Sequence, residues 1–168
     1  MKAVFLDRDG VINELIYHQE QGIIDSPLTI EQFSLLPGVS EAIRKLRETD
    51  YKVILVSNQP GIAKGHISQK TFDKIREKMK EELAKDGALL DGEYYCFHHP
   101  EAKVEEFRAN CECRKPGPGL LGGKRHGYRP IPVLDGRRWA QRHQGRKGSR
   151  MPNYTFGQNE VRTLPPDG

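Results

Sequence analysis

The sequence predicts an α/β fold in which a parallel sheet is flanked by helices. Two observations carry that expectation. Short apolar, β-rich runs alternate with amphipathic helical segments, and the first two runs stop abruptly in polar clusters. The 168 residues suffice for one ordinary domain, or one with a small insert.

Lys2–Leu6 is a compact apolar run ending in Asp7-Arg8-Asp9-Gly10, and reads as a buried strand. A helix is expected over residues 40–49, with Ser40 as its N-cap and Val39, Ile43 and Leu46 on one face. Residues 51–56 form a second strand, closing in Ser57-Asn58-Gln59-Pro60-Gly61. The next helix is the clearest element: Ser68 caps it, Phe72, Ile75, Met79 and Leu83 make an apolar stripe, and Gly87 ends it. Residues 93–97 read as a third strand. In parallel α/β sheets ligands sit beyond the carboxyl ends of strands, where Asp7-Arg8-Asp9 and Ser57-Asn58-Gln59 fall. The two clusters become neighbours if the two strands are adjacent.

Composition narrows the function classes. Hydrophobic residues make up 36% and charged residues 30%, so the chain is polar but not that of a disordered protein. No apolar run approaches the length of a bilayer, and the start of the chain is too short in apolar residues for a signal peptide. Three cysteines cannot all pair, which argues against a secreted disulfide framework. A cytoplasmic protein without membrane contact is expected. The net charge of +4 is uneven: from Gly119 onward ten Lys+Arg face three Asp+Glu, while the first 118 residues carry 17 against 20. The basic character belongs to the last third alone.

Asp7 and Asp9, at i and i+2 beyond a buried strand, can both face one crevice if the chain turns there. Such a pair suits Mg²⁺, which prefers carboxylate oxygens. It also suits a nucleophile beside a general acid/base. An exposed turn is the alternative, since Asp and Gly are common turn residues.

The surrounding residues favour chemistry. Phe5-Leu6-Asp7-Arg8-Asp9-Gly10-Val11-Ile12-Asn13, Val56-Ser57-Asn58-Gln59-Pro60-Gly61-Ile62-Ala63 and Arg114-Lys115-Pro116 closely resemble motifs of the haloacid dehalogenase superfamily of phosphatases. Within it the chain looks most like the D-glycero-D-manno-heptose 1,7-bisphosphate 7-phosphatases, with the histidinol-phosphatases next. The resemblance runs from Met1 to about Leu121 and implies a Rossmann-like parallel sheet without a large cap. It also implies hydrolysis of a sugar phosphate monoester, a small-molecule substrate, by a monomer. Asp7 would be the nucleophile, forming a phosphoaspartyl intermediate. Asp9 would protonate the leaving alkoxide and then activate water. Ser57 would hydrogen-bond a phosphoryl oxygen, and Lys115 would neutralise charge on phosphate and nucleophile. Mg²⁺ would sit on Asp7 and Asp9, because an anionic carboxylate attacks an anionic phosphate only if cations cancel the repulsion. Arg114 would grip the substrate with its forked donors, and Asn58 and Gln59 would be substrate-positioning amides.

Cys96-Phe97-His98 followed by Cys111-Glu112-Cys113 uses every cysteine of the chain. Three sulfurs and one nitrogen suit tetrahedral Zn²⁺, against the alternative of buried thiols. The heptose-bisphosphate phosphatases carry such a zinc loop, and Cys96, His98, Cys111 and Cys113 match its ligands; His99 is left out. A closed four-ligand shell implies a structural ion that pins the loop over residues 96–113 and presents Arg114 and Lys115.

After Leu121 the chain departs from the family, which requires a helix, then an apolar strand ending in Gly-Asp with a further acid four residues on. Residues 122–168 are instead a basic, Gly/Arg-rich tail, with nine of the 17 glycines from Gly119 onward, and little order is expected of it. Reading the codons one nucleotide out of frame permits Glu-Ala-Lys-Asp-Met-Asp-Ile-Asp for residues 122–129 and Leu-Ser-Arg-Ser-Trp-Met-Val-Gly-Asp for 130–138. Arg142 becomes Asp, and residues 143–155 become Ile-Lys-Ala-Gly-Lys-Ala-Ala-Gly-Cys-Arg-Thr-Ile-Leu. That restores the missing elements in order, so the tail reads as a frameshift product. Two other readings are weighed. Asp135, after Ile131-Pro132-Val133-Leu134, could replace the missing acid, although prolines fit a central strand poorly. A basic tail could bind nucleic acid, but it lacks aromatic interleaving or a known module, so no nucleic-acid partner is expected. An inactive zinc-binding remnant is the reading from another class, because the Gly-Asp motif, the fourth of the superfamily, is missing.

Overall fold

The computed structural model describes residues 2–49, 51–121 and 129–130. Ala3, Val4, Phe5 and Leu6 alternate between two faces of β1 (Lys2–Leu6), and all four are buried. β1 pairs in parallel with β4 (Tyr51–Asn58), Leu6 lying opposite Leu55, and β4 pairs in parallel with β5 (Gly92–Cys96), Asn58 lying opposite Cys96. A two-residue strand, β6 (Arg129–Pro130), pairs with the other edge of β1, giving the order β5-β4-β1-β6. Among the described residues β6 is an edge strand, a position that tolerates the missing N–H of Pro130. The frameshift and Asp135 readings otherwise lie outside the described residues.

Among the described residues two α-helices connect the strands: α1 (Val39–Glu48) and α2 (Gln69–Lys85). The stripe Phe72, Ile75, Met79 and Leu83 is buried as its spacing requires. Ser68 Oγ accepts from Thr71 N–H at 3.0 Å. At the other end Gly87, with φ of 70°, donates to Ala84 O while Ala88 N–H reaches Leu83 O, a Schellman arrangement. The expected cap of α1 is corrected. Gly38, not Ser40, is the N-cap, because the chain turns in a left-handed conformation before it; Ser40 is a buried residue of the first turn. β4 runs on to Asn58 rather than stopping at Val56, and β5 covers 92–96 rather than 93–97. An antiparallel hairpin, β2 (Ile16–His18) with β3 (Ile23–Asp25), is an element the sequence reading did not anticipate.

The core lies on both faces of the sheet. Val4 and Leu6 join Ile12, Phe33, Ile43, Val53, Leu55, Ile75, Met79 and Leu83 on the helical side. Ala3, Phe5, Ile54 and Val56 pack with Cys96 and Leu120 on the other, against Tyr94, Cys111 and Cys113. Parallel pairing thus brings the ends of β1, β4 and β5 to one edge. No helix among the described residues is long and apolar enough to cross a membrane.

Ile75 is fully buried between α2 and the sheet. Ile75→Ala is expected to destabilise the fold by about 2–5 kcal/mol through lost transfer energy and a cavity, measured as a lowered midpoint in urea unfolding.

Candidate active site and cysteine cluster

Beyond β1 the backbone folds over itself at once: Arg8 O accepts from the N–H groups of Val11, Ile12 and Asn13, and Gly10 N–H donates to Asn13 O. This turn directs Asp7 and Asp9 to the strand edge. Asp7 Oδ1 accepts from Arg8 N–H at 2.8 Å, and Asp7 Oδ2 pairs with Lys115 Nζ at 2.6 Å. The Asp7 side chain is 30% exposed and that of Lys115 19%, so the pair is reachable from solvent yet partly shielded. Lys115 Nζ also donates to Val56 O at 3.0 Å, tying the cation to the end of β4.

Asp9 is held on both oxygens. Oδ1 accepts from Arg8 Nε at 3.1 Å, Arg8 Nη2 at 3.0 Å and Asn13 Nδ2 at 3.1 Å, and Oδ2 accepts from Gln59 Nε2. A carboxylate offers about four lone-pair sites, so few acceptor positions remain, and these are on Oδ2. Gln59 Nε2 also donates to Ser57 Oγ at 3.0 Å, joining the turn after β1 to the end of β4. Asn58, expected to face substrate, instead commits both amide atoms to the main chain of Lys115: its Oδ1 accepts from Lys115 N–H at 2.9 Å and its Nδ2 donates to Lys115 O at 3.1 Å. Arg114 donates to His98 O at 3.3 Å. The structure therefore gathers Asp7, Asp9, Ser57, Gln59 and Lys115 into one bonded group, with Asn58 behind Lys115.

Two members were not foreseen. Arg8 is 1% exposed, grips Asp9 and lays its guanidinium 5.6 Å from the Phe72 ring centroid. Asn13 is fully buried. Their signal lay within the Asp7–Asn13 segment, where a strand-end turn forces intervening polar side chains inward.

The four cysteine and histidine ligand atoms lie within 4.8 Å of one another. Sγ–Sγ separations are 3.5 Å for Cys96–Cys111, 3.4 Å for Cys96–Cys113 and 3.1 Å for Cys111–Cys113, and His98 Nδ1 is 3.3 Å from Cys113 Sγ. These exceed the ~2.05 Å of a disulfide and approach the ~3.7 Å edge of a tetrahedron with ~2.3 Å metal–sulfur bonds, so the donor set fits a tetrahedral ion. Burial, then hydrogen bonds with Cys113 and Cys111, push the Cys96 thiol up to about 12. Burial raises Cys111, but hydrogen bonds with Cys113 and Cys96, together with backbone hydrogen bonds from Arg114 and Cys113, lower that thiol overall. His99 turns elsewhere: its Nδ1 accepts from Glu101 N–H at 3.1 Å, and burial with the charges of Arg114 and Lys64 lowers its pKa.

The chain after Pro116 doubles back on this cluster, and a Cβ at Gly117 would collide with the carbonyl oxygens of Glu112 and Arg114. A wide groove along α2, bordered by Ile30, Gln69, Asp73, Glu77 and Lys78, contains none of the residues above.

Comparison with known proteins places this geometry in context. The chain matches the family described as polynucleotide kinase 3 phosphatase over residues 14–126. It is 43% identical to the D-glycero-beta-D-manno-heptose-1,7-bisphosphate 7-phosphatase of Salmonella typhi over 119 residues, 71% of this chain and 59% of that protein. The protein of the same name from Photorhabdus laumondii is 44% identical over 119 residues, again 71% and 59%. The chain thus spans 59% of the length of these relatives. The crystal structure of D,D-heptose 1,7-bisphosphate phosphatase from B. bronchiseptica, complexed with magnesium and phosphate, is similar with a TM-score of 0.63 and 33% identity, covering 79% of this chain and 68% of that one.

The opposed shifts of the thiols set an order of reactivity. In protein stripped of metal at mildly alkaline pH, iodoacetamide is expected to alkylate Cys111 well before the buried Cys96, read by peptide mass mapping over time.

Proposed function

The chain belongs to the polynucleotide kinase 3 phosphatase family, within the haloacid dehalogenase superfamily of phosphatases, and on that premise we propose that it hydrolyses a sugar phosphate monoester through an intermediate on Asp7. The C7 phosphate of D-glycero-D-manno-heptose 1,7-bisphosphate is the proposed substrate, after the relatives named for it. The observation that carries the reading is the half-buried Asp7 carboxylate held against Lys115 at the strand edge, beside an Asp9 fixed on both oxygens.

Asp7 attacks phosphorus, forming an aspartyl–phosphate bond as the ester P–O bond breaks. The leaving alkoxide takes the proton of Asp9. Water then attacks the acyl phosphate, giving its proton to Asp9, and inorganic phosphate leaves as the bond to Asp7 breaks. Lys115 offsets charge on the nucleophile and on the phosphoryl group throughout. Ser57 Oγ accepts from Gln59, which leaves its own proton free to donate to a phosphoryl oxygen. Asp7 and Asp9 would hold Mg²⁺, which binds through one or two carboxylates with substrate oxygens and would supply further charge neutralisation. Cys96, His98, Cys111 and Cys113 would hold a structural Zn²⁺ that fixes the backbone leading into Arg114 and Lys115.

The proposed organisation is a phosphatase core over residues 1–121 and a tail over 122–168 arising from a frameshift, of which Arg129–Pro130 pair with β1. A cytoplasmic monomer acting on a small molecule completes the reading.

The test is phosphate release by the purified chain, beside a frame-restored version, from heptose 1,7-bisphosphate and from histidinol phosphate, with and without Mg²⁺. Mg²⁺-dependent release favouring the heptose substrate is expected; preference for histidinol phosphate, or no release by either version, would overturn the assignment. Asp7→Asn is expected to abolish both turnover and the phosphoenzyme, measured by acid quench with ³²P-labelled substrate. Cys113→Ala is expected to lose zinc and turnover together, with metal content read by atomic emission; full turnover without zinc would break that coupling.

A further inference from the structure

We propose that Asn58 is a positioning residue for Lys115 rather than a substrate contact, a proposal that rests on the phosphatase reading above. Each side-chain amide has one acceptor and one donor end, and both ends of Asn58 are engaged by the same residue. Lys115 N–H donates to Oδ1 at 2.9 Å and Lys115 O accepts from Nδ2 at 3.1 Å. The side chain therefore pairs with Lys115 as a neighbouring peptide group would, extending the ladder of β4 by one rung onto a loop that has no strand of its own. Asn58 is the last residue of β4, and its backbone lies opposite Cys96, the first residue of the cysteine cluster.

A third bond closes the arrangement: Lys115 Nζ donates to Val56 O at 3.0 Å while pairing with Asp7 Oδ2 at 2.6 Å. Main chain and side chain of Lys115 are thus both anchored on β4, and the ammonium reaches the nucleophile from a fixed base. A lysine is a flexible point charge on a four-carbon stem. Without a fixed main chain its ammonium would sample positions away from Asp7, and misplacement by about 1 Å can cost ~10²-fold in rate. The distinction has a chemical consequence. A residue acting through Lys115 affects every phosphate monoester alike, whereas a substrate contact discriminates between them.

Asn58→Asp tests this with almost no change in volume. Asp keeps an acceptor for Lys115 N–H but sets a second oxygen against Lys115 O. The expected result is a fall in kcat of about 10²-fold on both heptose bisphosphate and p-nitrophenyl phosphate, KM changing little. In the Lys115→Ala background the same substitution should cost nothing further. An independent reading needs no turnover: amide exchange of Lys115, followed by NMR in the full chain, should accelerate in Asn58→Ala and in Asn58→Asp. A rise in KM confined to the heptose substrate, with Lys115 exchange unaltered, would overturn the proposal. If the parent chain releases no phosphate from any ester, the phosphatase reading fails instead, and the exchange measurement still decides whether Asn58 clamps Lys115.

Discussion

Lys115 Nζ and Asp7 Oδ2 meet at 2.6 Å, although they come from distant parts of the chain. Most of what the structure does at the strand edge follows from making that contact possible. Asp7 stands one residue beyond the end of β1, and the register of Leu6 against Leu55 sets it beside the end of β4. The cation is delivered by a loop, which lacks the ladder that fixes a strand. Asn58 and Val56 supply substitute bonds. In the proposed reaction two like-charged groups, a carboxylate and a phosphate, need a cation placed before they meet, because a charge that must first be rearranged costs reorganisation.

The other carboxylate is governed by a different balance. Arg8 is nearly inaccessible, and burying a cation is costly unless it is paired. Its partner is Asp9, supported by the face of Phe72. Phe72 in turn meets Tyr95 edge-on with centroids 5.0 Å apart, so α2 and β5 brace the guanidinium from behind. Arg8 Nη1 has no hydrogen-bond partner among the described residues. An unpaired buried donor of this kind lowers stability, and the gain lies in a carboxylate whose orientation is set from behind, leaving its other oxygen toward Gln59 and the crevice.

How much of this was legible in the sequence depends on the range of the interactions. The stripe of α2 and its Ser68 cap were readable because helical spacing and capping are local. So was the gathering of Cys96, His98, Cys111 and Cys113, where residue chemistry leaves few alternatives. Gly38 was missed as the cap of α1 because a serine two residues later satisfies the usual preference, while the turn that decides the matter depends on Leu36 accepting from Val39. The hairpin at Ile16–Asp25 was missed because each strand has only three residues, too few to display alternation. Asn58 is the instructive case. Its neighbourhood announced a polar site, but whether an amide faces ligand or backbone depends on a loop far along the chain, and no local pattern encodes that.

The cysteine loop also has a structural duty that sharpens the relation between metal and site. On the helical side, α1 and α2 cover β1 and β4. On the opposite side, Ala3, Phe5, Ile54 and Val56 pack against Cys96, Leu120, Tyr94, Cys111 and Cys113. The same sulfurs that would ligate an ion therefore contribute, with Leu120 and Tyr94, to the apolar cover of that face of the sheet among the described residues. Without a cation, three thiols crowd within 3.1–3.5 Å of one another, and burial makes Cys96 hold its proton. A divalent ion bound there would exchange those protons for metal–sulfur bonds, converting close polar contacts into a closed knot. Ordering of the loop and sealing of the second core face would then be one event. Cys113 is followed directly by Arg114 and Lys115, so the same event sets the starting point of the chain that Asn58 clamps. The Lys115 ammonium is held from both directions: by the end of β4 on one side, and by the loop that completes the core on the other.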